Sequence, residues 1–351
     1  MRWIRGWPSG SDLYRKEVVL MNQTEKPILK VSDLKTYFFT GEGVTKAVDG
    51  VSFEVKKGEV LGVVGESGCG KSVTALSILQ LVASPPGRIV GGKVELMGKD
   101  LLSLNAREMQ RIRGQKISMI FQDPLTCLNP VLRVGYQLAE VFYYHKKLEW
   151  KKSLAEAARM LKVTDIPSPE ERVKNFPHEM SGGMRQRSMI AMALACEPEL
   201  LIADEPSTAL DVTVQAQVLE LMKALCRAGE TAVLLITHDM GVIANMCDRV
   251  AVMYAGRIVE FTDVFTLFSN PAHPYTKGLL HSLPRLGATR NRLESIEGQP
   301  PQLNQLPSGC AFRPRCKYAV LRCDDEMPDA TTICDGHEIR CFNPVNGARN
   351  G

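Results

Sequence analysis

Long apolar runs are missing from this sequence. No stretch approaches the roughly 18 consecutive apolar residues that span a bilayer, so the chain carries no membrane-crossing helix of its own. The N-terminus is basic (Arg2, Arg5), yet residues 1–20 hold no unbroken apolar segment of the about 7–15 residues that a signal peptide needs. Both absences disfavour a secreted or integral membrane protein. Charge of one sign is also scarce: 43 Lys and Arg against 39 Asp and Glu leave +4. That is too weak a field to argue for nucleic acid or an anionic lipid surface as partner. No internal repeat is visible, and no cysteine pair has the C-x₂-C spacing of a zinc knuckle.

What is present is ordinary for a globular chain of 351 residues: 44% hydrophobic and 23% charged residues, enough to bury a sizeable core. The length suggests one large domain with an appendage, or two domains. Residues 1–27 read as a flexible leader, with Met21 a second candidate start. Ile28–Val31 and Ala47–Val55 are strand-like, and Val60–Val64 is a short apolar run of the kind a fully buried strand makes. Residues 73–82 predict a buried helix, and residues 135–163 a helical stretch. Leu200–Ala203 and Ala232–Ile236 predict further buried strands, with an amphipathic helix between them through Val214, Val218, Leu221, Met222 and Leu225. Arg249–Met253 and Arg257–Glu260 predict a closing strand pair. Strand–helix–strand alternation points to an α/β sheet covered on both faces. Prolines 271, 274, 284, 300, 301 and 307 mark a change of composition, and a domain boundary is expected near residue 270.

Gly65-Glu66-Ser67-Gly68-Cys69-Gly70-Lys71-Ser72 matches G-x-x-x-x-G-K-[ST], between an expected strand and an expected helix. Glycines let successive N–H groups turn toward one anion, and the helix start adds to the cradle. Lys71 would reach the β- and γ-phosphates and the Ser72 hydroxyl would ligate Mg²⁺. The strand ending in Asp204-Glu205 supplies a carboxylate for the metal shell (Asp204) and a general base that polarises water (Glu205). Taken alone, such a pair is equally well read as a helix cap and first-turn acid. The next strand ends in Thr237-His238-Asp239, where a neutral imidazole could bond a phosphate or a water.

At this point the chain resembles the ATP-binding cassette family. Met180-Ser181-Gly182-Gly183-Met184-Arg185-Gln186 is similar to its signature sequence, with Met180 where leucine is usual. Phe121-Gln122-Asp123 resembles the Q-loop, Ser207-Thr208-Ala209-Leu210-Asp211 the D-loop, and His238 the switch histidine. These motifs run in order over roughly residues 28–262. The resemblance implies a P-loop nucleotide-binding domain with a mixed core sheet, an antiparallel β subdomain and a helical subdomain at about 123–180. It implies ATP and Mg²⁺ as ligands, with Gln122 sensing the γ-phosphate through Mg²⁺. Tyr37 or Phe38 would stack on adenine, with Phe38 slightly favoured. Ser181, Gly182 and Gly183 would face the ATP of a partner cassette, so the working unit would be a dimer.

Asn270-Pro271-Ala272-His273-Pro274-Tyr275-Thr276-Lys277 and Gly309–Cys316 narrow the resemblance to oligopeptide/dipeptide importer ATPases. That implies a second, different ATPase subunit, two membrane permease subunits, an external solute-binding protein, and a peripheral place on the cytoplasmic face of the membrane. The transported solute stays open between dipeptide, oligopeptide, nickel chelate and others. A soluble cassette acting on ribosomes or DNA fits worse, because those types carry two cassettes or long coiled coils. A sugar importer ATPase with a C-terminal β-domain is argued against by a Pro- and Cys-rich tail.

Of ten cysteines, five (Cys310, Cys316, Cys323, Cys334, Cys341) crowd into that tail. Without a signal peptide, such crowding reads as metal or redox chemistry before disulfides. By the resemblance, Cys310, Cys316, Cys323 and Cys341 ligate a [4Fe–4S] cluster; Cys334 is spare or replaces Cys341, and zinc is the alternative metal. A metal here would act first as a staple for a tail too short to bury a core. Cys69, Cys127, Cys196, Cys226 and Cys247 read as incidental to the cassette.

Overall fold

The computed structural model describes residues 26–123, 127–206, 211–282 and 296–345. Two sheets organise it. Strands β1 (Leu29–Thr40) and β2 (Gly43–Val55) form a hairpin, and β4 (Gly87–Leu96) and β5 (Lys99–Asp100) extend it into an antiparallel sheet of order β2-β1-β4-β5. The second sheet has the order β11-β12-β10-β9-β3-β8-β7-β6. Its centre is parallel: β3 (Val60–Val64) lies between β9 (Arg249–Tyr254) and β8 (Ala232–Thr237), followed by β7 (Leu200–Asp204) and β6 (Ile117–Ile120). All residues of β3, β7 and β8 are buried, as their unbroken apolar runs predict for strands covered on both faces. On the far side of β9 the sheet turns antiparallel through β10 (Arg257–Asp263), β12 (His337–Ile339) and β11 (Thr331–Cys334).

The helices run in chain order α1 (Lys71–Ile78), α2 (Ala106–Ile112), α3 (Val134–His145), α4 (Trp150–Val163), α5 (Pro169–Arg172), α6 (Gly182–Leu194), α7 (Val212–Ala228), α8 (Met240–Met246), α9 (Val264–Ser269), α10 (Pro274–His281) and α11 (Arg322–Asp325). Helix α1 ends before residue 82 because Gln80 takes the left-handed conformation (φ 51°), which no helix continues through. The stretch 135–163 splits into α3 and α4 for the same reason at Lys147 (φ 54°). The helix forms as α7, and of its expected face Val218 and Met222 are buried while Val214, Leu221 and Leu225 are half-buried; Leu219 and Cys226 complete the buried face.

Three apolar clusters follow from this layout. One, with Leu138, Phe142, Leu161 and Ile190, joins the helical residues 134–194 to the sheet. A second lies between the two sheets, around Leu34, Val51, Leu61 and Ile78. The third docks the tail on β9 and β10. There the rings of Tyr254, Tyr275 and Phe312 meet with centroids 4.6–5.4 Å apart, a contact type that adds to simple burial. No helix of the described residues is long and apolar enough to cross a membrane.

Candidate nucleotide site and tail cavity

Because β6, β3, β8 and β7 are parallel, their C-terminal ends open on one edge, where ligands gather on such sheets. That edge collects Gln122, the 65–72 loop, His238, Asp204 and Glu205. The loop has to be glycine at two points. A Cβ at Gly70 (φ 106°) would stand 2.1 Å from the Ala47 carbonyl, and one at Gly65 would stand 2.2 Å from the Met253 carbonyl. Lys71 is buried with its ammonium turned into the loop, donating to the carbonyls of Gly65 (2.8 Å) and Glu66 (3.0 Å). Cys69 is buried in the same loop. Burial pushes its thiol up, Lys71 opposes, and the charge of Glu66 adds to the rise.

Ser72 lies beside Asp204, whose carboxyl is shifted upward by burial and by Glu205 against the pull of Ser72 and Lys71. The Asp204 Oδ1 is buried and has no hydrogen-bond partner. An orphaned carboxylate oxygen beside a serine hydroxyl is the donor set a hard oxygen-seeking cation such as Mg²⁺ takes, so these residues fit that ion. Glu205 follows at φ 46° with its N–H on the Ile236 carbonyl (2.8 Å). Its two oxygens take separate partners: Gln122 Nε2 at 3.0 Å and His238 Nδ1 at 3.0 Å. A carboxylate held this way can accept a proton from water while the amide and imidazole fix its direction.

Ser181 caps α6, its hydroxyl accepting from the Met184 N–H (3.3 Å), with Gly182 and Gly183 as the first helical residues. These three lie apart from the 65–72 loop of their own chain in sequence and element. Asp211 caps α7 by accepting from Val214 N–H (3.0 Å). Residues 207–210 of the expected D-loop lie outside the described residues, as does most of the expected leader. The two aromatics diverge. Tyr37 donates to Asp49 (2.6 Å), and burial and that bond raise its hydroxyl to about 12. Phe38 has no polar handle, and its ring sits against Gly87.

Cys310, Cys316, Cys323 and Cys341 line one small cavity of about 10 Å³, together with Phe312 and Asn343. Cys334 is exposed on β11 and lines none of it. Burial pushes the thiols of Cys310, Cys316 (to about 11) and Cys341 (to about 12) upward. Four soft thiols around one void match what thiolate-bound metals use. Their spacing does not gather them: among the described residues no group of three or more His, Cys, Asp or Glu could hold a metal ion. The donor chemistry thus fits a cluster, while the side-chain positions are not those of ligands.

Two further residues lie in the tail motifs, which gave them no role at the phosphate loop. Arg315, in the tail, and Tyr275, on α10, both contact Glu66 of the phosphate loop. Neither belongs to a phosphate-binding pattern, and no spacing rule links positions 249 residues apart.

Comparison with known proteins follows the same outline. The ABC transporter family model matches residues 48–208, and the model for the oligopeptide/dipeptide transporter C-terminal region matches residues 259–323. An oligopeptide transport ATP-binding protein of Bacillus subtilis is 50% identical over 315 residues, 90% of this chain and 96% of that protein. A dipeptide transport ATP-binding protein of the same organism is also 50% identical, over 90% of this chain and 94% of that one. An oligopeptide transport ATP-binding protein of Salmonella typhimurium is 48% identical over 92% of this chain and 96% of that protein. Among solved structures, an ATP-binding cassette dimer in a post-hydrolysis state with ADP and Pi is similar. It is 26% identical with a TM-score of 0.60, covering 67% of this chain and 98% of that one.

Proposed function

This chain belongs to the ATP-binding cassette transporter family, among the oligopeptide and dipeptide transport ATP-binding proteins, and from that membership we propose that it hydrolyses ATP to power peptide uptake across the cytoplasmic membrane. The observation that carries the catalytic assignment is Glu205, held between Gln122 and His238 beside the phosphate loop. In this reading the loop N–H groups and Lys71 bind the β- and γ-phosphates, and the lysine exchanges its loop carbonyls for phosphate oxygens. Ser72, Asp204 and Gln122 would hold Mg²⁺, which would supply charge neutralisation at the phosphates. Glu205 takes the proton from the attacking water, and His238 orients it. Either Tyr37 or Phe38 stacks on adenine; the hydroxyl bond of Tyr37 to Asp49 leaves Phe38 the freer ring.

Ser181, Gly182 and Gly183 complete the nucleotide site of a second cassette, so that ATP closes a pair and hydrolysis reopens it. We assign that second cassette to a different ATPase chain. The coupled membrane permeases dock on the helical subdomain, where Val131, Leu132, Tyr136, Tyr143 and Tyr144 are exposed. The chain then sits peripherally on the cytoplasmic face, with an external solute-binding protein delivering the peptide. In the tail, Cys310, Cys316, Cys323 and Cys341 hold a [4Fe–4S] cluster, or zinc, as a staple. The shared cavity supports this reading, and it requires the four thiols to draw together on loading.

Peptide-dependent ATPase activity of the assembled transporter, and loss of peptide uptake in a strain lacking this chain, test the function. Purification without polytopic membrane subunits, with uptake intact in that strain, would overturn it. For the tail, anaerobically purified protein should show the brown charge-transfer absorbance of iron–sulfur. Colourless protein with stoichiometric zinc would sink that assignment.

A further inference from the structure

A carboxylate in a phosphate-binding loop is electrostatically misplaced, because it repels the ligand the loop is built to attract. Glu66 is such a residue, second in the loop and next to Gly65. The structure shows how its charge is managed. Arg315 grips it with both guanidinium nitrogens: Nη1 to Oε2 at 2.6 Å and Nη2 to Oε1 at 2.9 Å. The arginine side chain is only 4% exposed and the glutamate 26%, and the contact is two-pronged, which sets it apart from the fully exposed single contacts. Its other donors are occupied too, Nε by the Glu297 carbonyl (3.1 Å) and Nη1 by the Tyr254 hydroxyl (3.4 Å). The backbone of Glu66 is held as well, since its N–H donates to the Tyr275 hydroxyl at 2.9 Å. Tyr275 is fully buried in the aromatic cluster that docks the tail.

We propose that Arg315 is a positioning residue for nucleotide binding: from the C-terminal tail it neutralises Glu66 and draws that carboxylate away from the phosphates, so the tail sets the ATP affinity of the cassette. Arg315 immediately precedes Cys316, which lines the thiol cavity, so the arm that reaches the loop is anchored in the cysteine-rich fold. The inference rests on the reading of the 65–72 loop as the ATP site.

The test uses the full chain, measuring equilibrium binding of a non-hydrolysable ATP analogue, of ADP and of AMP. Measurable analogue binding by the wild type establishes the ATP site independently of the clamp; its absence would remove that reading itself. Arg315→Gln should weaken analogue binding about tenfold, the size of a unit like-charge repulsion acting over roughly 12 Å at an effective dielectric of about 20. The loss should shrink from the analogue to ADP to AMP as ligand charge falls. In the assembled transporter the same variant should raise KM for Mg-ATP and leave kcat within about twofold. Arg315→Lys should recover part of the affinity. Adding Glu66→Gln to Arg315→Gln should restore it, because the repulsive group is gone. Glu66→Gln alone keeps every tail residue and an amide oxygen for Arg315, and should bind the analogue at least as tightly as wild type. An equal loss for all three nucleotides, or a double variant as weak as Arg315→Gln, would overturn the proposal in favour of simple tail packing. So would weaker binding by Glu66→Gln alone.

Discussion

The nucleotide edge and the cysteine-rich tail are both clusters of reactive side chains, yet they are built differently. At the nucleotide edge each reactive residue sits at the end of a buried parallel strand, so backbone pairing alone brings Asp204, Glu205 and His238 beside the 65–72 loop. In the tail, Cys310, Cys316 and Cys341 lie outside helix and strand and Cys323 lies on a short helix, and they share one cavity because an aromatic cluster and a strand pair dock that segment on β10. Strand ends place side chains within hydrogen-bond reach before any ligand arrives.

The sharpest way to break this contrast is Glu205→Gln. Turnover should fall about 10²–10⁴-fold, as for loss of a general base. Nucleotide binding should survive and the closed dimer should accumulate. Normal turnover, measured as phosphate release, would remove Glu205 from its role.

Next in size, Gly70→Ala should unfold the loop locally. The left-handed conformation costs an alanine about 1–2 kcal/mol, and the new methyl would meet the Ala47 carbonyl. Thermal unfolding should show a lowered midpoint, and nucleotide should not recover it.

A smaller effect separates the tail from the cassette by pH. Glu260 is fully buried. Burial pushes its carboxyl up, but bonds from His337 Nε2 (2.8 Å) and from the N–H groups of Ala272 (2.7 Å) and His273 (2.9 Å) outweigh that and hold its pKa below the ordinary value. His273 is buried beside it, and burial drops its pKa to about 4. In the unfolded chain that histidine would take a proton near its ordinary value, about 6.5. Folding therefore excludes a proton between those two values, and the unfolded carboxylate likewise binds protons before Glu260 does. Stability of the docked tail should be full above about pH 6.5 and fall as pH drops toward 4. Hydrogen exchange of β12 should rise over that window before exchange of β3 does. Equal loss in both strands would dissolve the distinction between the two regions.

The smallest contrast lies within the tail. On the proposed cluster reading, Cys341→Ser should lower bound metal and tail stability, whereas Cys334→Ser should change neither, since Cys334 is exposed on β11. Metal content and tail protease sensitivity of the two variants give the comparison.

Much of this was legible in the linear order of residues. Unbroken apolar runs marked β3, β7 and β8, and the motif residues following them were named from the chain alone. The split between α3 and α4 was not, because nothing in Lys146-Lys147 announces a left-handed turn. Nor was the role of Asp211 as a helix cap, since an aspartate before a helix and one at a dimer contact read alike. Cys334 and Cys341 could not be told apart by spacing; their different exposure on and beyond the β11–β12 pair distinguishes them.

The sequence by itself determined that a phosphate-binding chemistry is expected here and which residues are candidates for it, because that site is written in short contiguous motifs whose geometry the local backbone dictates. Only the tertiary structure decided what the tail touches. The β10–β12 pairing and the Tyr254, Tyr275 and Phe312 rings carry Arg315 across 249 residues to Glu66. A contact of that range depends on how two independently patterned segments pack, and no periodicity in either one records it.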